Sequence, residues 1–161
     1  MKQTKRSVYY TLLLLSLLTE LLALFLPYSR FDLYGETPSS ISSVYFFCSD
    51  SYYYWRDGSH VYLLTVLFLA LIVGALLLRS MRRVLKALDL EDKAPQRLSC
   101  GFAPLAGILF CLFLYVVGRN AGSLFVAQAH SETTFFPWLG ILSGLLALGL
   151  TASLNSMESS D

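Results

Sequence analysis

The chain has 161 residues, a length that one soluble domain could fill, but 55% of them are apolar and only 14% charged, against about 25% charged in an ordinary soluble domain. The net charge is +1, which gives no electrostatic basis for a nucleic-acid partner. Composition therefore argues against a water-soluble protein and turns attention to how the apolar residues are distributed.

The first apolar run is "VYYTLLLLSLLTELLALFLP", residues 8–27, and a bilayer-spanning helix needs about 20 such residues. Lys2, Lys5 and Arg6 precede it in the manner of a signal peptide, but the run is longer than a typical signal core, and "ALFLPYS" at its end lacks a small-x-small cleavage pattern. The reading is an uncleaved first helix that also directs insertion. Glu20 lies within it, the only acidic residue in any of the long apolar runs. Such residues are expensive in lipid and face a protein interior or a cavity. With Ser16 on the same helical face it forms a candidate intramembrane polar site, suited to a proton- or cation-linked role or to a basic group of a partner. The alternative is a protonated carboxyl bonded to a neighbouring hydroxyl or backbone group.

Residues 28–59 form a loop. "RFDLY" and "SVYFF" read as short strands about a turn bracketed by Gly35 and Pro38, although two strands alone are marginal. The loop ends in "VYFFCSDSYYYWRDG", in which seven of fifteen residues are aromatic. Tyr45, Phe46, Phe47, Tyr52, Tyr53, Tyr54 and Trp55 are a candidate interaction surface. With Tyr28, Tyr62, Tyr115, Phe135, Phe136 and Trp138 they would also make an aromatic girdle at the membrane boundary.

The second helix is expected over residues 60–78, with Ser59 as its cap. Residues 79–97 carry the helical period onward: Met81, Val84, Leu85 and Leu88 make an apolar stripe, with Arg79, Arg82, Arg83 and Lys86 mostly off it. This predicts a basic amphipathic helix lying on the inner membrane surface, where each basic residue favours anionic lipid by about 1 kcal/mol. Asp89, Glu91, Asp92 and Pro95 would end it. The third helix is expected over 98–118 and the fourth over 135–154, with Pro137 in its first turn. The tail "NSMESSD" reads as polar and frayed.

Nine basic residues fall at the N-terminus and in the segment between the second and third helices, against Arg30, Arg56 and Arg119 in the other two connections. The positive-inside rule then puts both termini in the cytoplasm and the aromatic loop outside. Close packing should come from small residues: Gly140, Ser143, Gly144, Ala147 and Thr151 on the fourth helix, Pro104, Gly107, Cys111 and Gly118 on the third, Ala70 and Gly74 on the second. Their expected use is internal rather than in a dimer contact.

Chemistry-bearing groups do not converge. Cys48, Cys100 and Cys111 are separated by topology, so no intrachain disulfide is expected. His60, His130, Cys48, Asp50, Asp57 and Glu132 lack metal-ligand spacing. "RNAGSLF", residues 119–125, is similar to an element of lipoprotein signal peptidases, but the third and fourth helices carry no Asp from which that family's dyad could be built. Four spans and a long first loop resemble claudin-like proteins in shape, without their Gly-Leu-Trp and paired cysteines. In outline, with "LPYS" closing the first helix and "FFPWLGIL" opening the last, the chain resembles small bacterial four-helix integral membrane proteins, a resemblance that implies no activity.

The expectation is an all-α, four-helix transmembrane bundle in the bacterial cytoplasmic membrane, with no catalytic, cofactor-binding or metal-ligating residues. It would be a non-enzymatic interaction or assembly protein whose partners are the bilayer, anionic lipid at the inner face, and a protein partner or further copies of itself. The alternative is a small oligomeric transporter or channel-like protein using Glu20.

Overall fold

The computed structural model describes residues 2–32, 39–44, 59–89, 102–121 and 130–159. Helix α1 spans Lys2–Phe25, strands β1 and β2 span Ser29–Asp32 and Ser39–Ile41, α2 spans Ser59–Asp89, α3 spans Phe102–Arg119, β3 spans His130–Thr133, and α4 spans Phe136–Ser159. All four helices are long and apolar enough to cross a membrane. They form the expected bundle: α1 packs on α2 and α4, α3 packs on α2 and α4, and α1 also meets α3 across the middle.

Apolarity alone understates the helices at the end where both termini lie. Helix α1 starts at Lys2 rather than at residue 8, because "KQTKRS" contains adequate helix formers that need only water around them. Helix α4 runs on to Ser159, so the tail read as frayed is helical as far as it is described; Leu154, just before it, is fully buried. Helix α2 has 31 residues, about 46 Å, half again the thickness of a hydrocarbon core.

That length corrects the expectation of a surface-lying amphipathic helix, at least as far as Asp89, where the described part of residues 79–97 ends. The segment is an unbroken continuation of α2, and its apolar stripe is covered by the protein itself. Val84 is fully buried, and Met81 and Leu88 are packed against the core, with only Leu85 of the stripe exposed. Gly74 lies beside Leu21 and Phe25 of α1, and the antiparallel run from there carries Val84 to the level of Tyr10, itself buried. Arg79, Arg82, Arg83 and Lys86 are exposed on the other side of α2.

The opposite end carries a feature absent from the sequence reading, a three-stranded antiparallel sheet in the order β2-β1-β3. "RFDLY" does contribute strand β1, but its hairpin partner is Ser39–Ile41 rather than "SVYFF". Ser43 and Val44 form a turn, and residues 45–50 lie outside the described part of the chain. The third strand comes from the second connection, with Arg30 opposite Glu132 and Asp32 opposite His130. A two-stranded ribbon is marginal by itself, and a third strand over a packed surface makes it stable.

The sheet is stitched to the helix ends. The Ser43 hydroxyl donates to the Leu24 carbonyl at 2.6 Å, and the Ser29 hydroxyl to the Gly118 carbonyl at 3.1 Å and the Glu132 carbonyl at 3.2 Å. The Thr134 hydroxyl donates to the Pro27 carbonyl, and Ser131 to the Arg119 carbonyl at 3.3 Å. The last carbonyls of a helix have no partner within it, and these hydroxyls supply partners for Leu24, Gly118 and Arg119.

Tyr28 differs from its expected place in a membrane-boundary girdle. It is fully buried, its amide donates to the Ile41 carbonyl at 2.8 Å, and its carbonyl accepts from the Thr134 amide at 3.2 Å. Tyr115 and Trp138 do form an edge-on pair, with ring centroids 5.1 Å apart. The Tyr28 and Tyr62 hydroxyls are both buried without a hydrogen-bond partner, near each other but outside bonding geometry. Burial first, and the Tyr62 phenol second, hold the Tyr28 phenol well above the usual phenol range. The neutral form is favoured by the folded state. This stability is complete below the unfolded phenol value of about 10 and falls as pH rises beyond it. Thermal unfolding in micelles should therefore show a steeper loss above that pH for the wild type than for Tyr28→Phe. Equal slopes would show that the phenol is solvated.

Candidate functional site

Helix α1 places Ser16, Glu20 and Ala23 on one face, and all three are buried. The Glu20 carboxyl lies against Gly144, about 12 Å down α4 from Phe136, and so sits well inside the bundle. It is fully buried, and neither carboxylate oxygen has a hydrogen-bond partner. The expected alternative, a carboxyl bonded to a hydroxyl or to backbone, is therefore not what the fold contains.

The nearby hydroxyls are committed to their own helices. Ser16 donates to the Leu12 carbonyl and Thr19 to the Leu15 carbonyl, each at 2.9 Å. On α4, Ser143 donates to the Leu139 and Gly140 carbonyls at 2.9 and 3.0 Å, and Thr151 donates to the Ala147 carbonyl at 2.8 Å. Back-bonding of this kind satisfies a small hydroxyl locally and leaves its proton unavailable to Glu20. Ser16 shares the face with Glu20 but makes no bond to it.

The carboxyl is seated against two glycines from two different helices. A methyl group placed on Gly107 of α3 would overlap Oε1 and lie 2.7 Å from Cδ; one placed on Gly144 of α4 would lie 2.5 Å from Oε1 and 2.6 Å from Ile108 Cγ1. Glycine is required at both positions because the space beside each backbone is filled by Glu20. A turn further along α3, Cys111 is a fully buried free thiol, facing Gly140 of α4. At Gly140 an added methyl would also come within 3.1 Å of Ala23 Cβ. The small-residue stripes of α3 and α4 thus face inward, onto α1 and onto each other.

Sequence reasoning identified Glu20 and, separately, the glycine stripes; it did not connect them. The signal was the coincidence of one long polar side chain on α1 with gaps on α3 and α4, which is readable only once the helices are paired. It also missed Ser29, Ser43 and Thr134 as the links between sheet and bundle. The aromatic candidates Tyr45, Phe46, Phe47, Tyr52, Tyr53, Tyr54 and Trp55 lie outside the described residues, as do Cys48 and Cys100. The basic candidates Arg79, Arg82, Arg83 and Lys86 are exposed on the outer side of α2, whereas Glu20 is buried in the bundle interior. Among the described residues the geometry thus offers one enclosed carboxyl inside the bundle, a capped end, and a basic end. No protein family, curated protein or solved structure matches the chain, so what these three features do has to be argued from their chemistry.

Proposed function

We propose that the chain is a multi-pass protein of the bacterial cytoplasmic membrane that works by assembly with a partner rather than by catalysis. Its termini and the basic end of α2 lie in the cytoplasm and its sheet lies outside. The observation that carries the reading is the construction of the sheet end. Two separate connections are joined into one sheet and fixed to the ends of α1 and α3 through Ser43, Ser29 and Ser131. Simple connections between helices need none of this. In sequence the aromatic segment follows Val44, next to the sheet, and precedes Ser59, where α2 begins. Its aromatic composition suits a protein interface, where Tyr and Trp supply much of the binding energy. The basic residues of α2 suit the anionic lipid headgroups of the inner leaflet.

The transporter reading draws on the unpartnered Glu20 carboxyl. Against it stands the lining of the site, glycines, Ile108 and a thiol, in place of the polar side chains that line a hydrated path. The discriminating experiment is crosslinking in native membranes followed by affinity purification. A stoichiometric partner or homo-oligomer is expected, and it should be lost when Tyr52, Tyr53, Tyr54 and Trp55 are replaced together by serine. Recovery of monomer alone from wild-type membranes would falsify the assembly reading.

A further inference from the structure

We infer that Glu20 is an intramembrane proton site. Its carboxyl occupies the glycine seat as the neutral acid, and loss of the proton to water drives it out of the seat and parts α1 from α3 and α4.

The argument begins with space. The carboxyl already fills the gap between Gly107 and Gly144, as the overlap of any added methyl shows. A water needs room of its own and two to four polar partners, and a sodium-like cation needs several oxygen ligands. The walls offer neither. Ser16 and Ser143 direct their protons to their own helices, and the carbonyls around Gly107 and Gly144 lie within helices. A proton is the one cation the seat has room for.

Electrostatics supplies the second half. An ionised carboxylate without partner or water in an apolar interior costs several kcal/mol. It can be relieved in place by a counter-charge or outside by solvent. Among the described residues no counter-charge faces it. The titratable group that faces Glu20 from α3 is the Cys111 thiol, which carries no positive charge. Helix α4 presents Gly144, and the basic residues of α2, from Arg79 onward, are exposed on its outer side and turned away from the bundle interior. Relief must come from solvent. Glycine backbone blocks the carboxyl on two sides, so reaching solvent requires the helices to separate. Separation uncovers Cys111, which closes the same junction.

The test uses that thiol. With Cys48 and Cys100 replaced by serine, Cys111 is labelled in detergent micelles with a membrane-permeant maleimide, and each rate is divided by that of a free thiol at the same pH. Between about pH 6 and about pH 10 the corrected rate is expected to climb, by up to about tenfold per pH unit while the neutral acid is the favoured form. In Glu20→Gln, which keeps the shape of the neutral acid, the corrected rate should stay low and flat. A second single-cysteine chain carries Val66→Cys, a fully buried α2 position, with all three native cysteines replaced by serine. It should stay unlabelled throughout. The proposal is overturned by an equal climb in Glu20→Gln, by fast labelling of Glu20→Gln already at low pH, by absence of a climb in the wild type, or by labelling of Val66→Cys in step with Cys111, which would mean the whole bundle melts.

Discussion

Replacing Gly107 with alanine is expected to destabilise the bundle by about 1–3 kcal/mol, the usual penalty for forcing an extra methyl into a filled core. The methyl would overlap Glu20 Oε1 and press on Cδ at 2.7 Å. A flexible side chain can often yield to such a contact, but this one has no retreat, since Gly144 closes the other side at the same oxygen. The effect should therefore depend on Glu20. In a Glu20→Ala background the seat is vacant and Gly107→Ala should be nearly neutral, giving a coupling energy within the range of about 0.5–3 kcal/mol seen for contacting residues. Unfolding of the four proteins of this cycle by denaturing detergent measures it. Additive effects would mean that the two residues do not share the space. Gly149→Ala serves as the control: nothing lies within 4 Å of a methyl there, and the better helix propensity of alanine should leave stability unchanged or raised by up to about 1 kcal/mol.

Gly118→Ala should loosen the sheet rather than the middle of the bundle. Its methyl would stand 2.9 Å from the Tyr28 carbonyl oxygen and 3.4 Å from Thr133 Cγ2. The first of these is backbone, already engaged by the Thr134 amide, and cannot rotate away. Strand β1 must shift as a whole, stretching the bond from the Ser29 hydroxyl to the Gly118 carbonyl. A loss of about 1–3 kcal/mol is expected, seen in hydrogen exchange as faster exchange of the β1 amides with little change at mid-helix positions such as Leu17. Unaltered protection of β1 would show that the strand is not clamped against α3.

The spans were legible in the sequence because hydrocarbon imposes a run length that composition reveals directly. The helix ends in water were not: Lys2 to Ser7 and Asn155 to Ser159 are polar, and their helicity follows from continuation and from contacts such as Leu154, not from apolarity. The amphipathic stripe through Val84 was correctly periodic, but a period says which face is apolar and not what covers it; the cover was the protein itself. Strand β3, "HSET", has little strand propensity and owes its form to pairing with a strand far away in sequence. Glu20 stood out by being alone in its class, whereas its seat is made of absent side chains, on helices whose mutual rotation no single-sequence pattern specifies.

The sheet also bears on how the molecule is made. Strand β1 follows the first helix, while β3 immediately precedes the last, so the sheet that joins them is complete only after three of the helices and the connection beyond α3 have been synthesised. Until then β1 has only β2 beside it, a ribbon too small to hold itself together. Closing the intervening stretch carries an entropic cost set by the chain between the strands, and three spans entering the membrane in order would already have shortened that distance. The cap is accordingly a late event in biogenesis, one that waits for the connection leading into α4, the helix that packs most extensively on α1. A nascent chain stalled before residue 130 would carry three spans with β1 still awaiting its second neighbour.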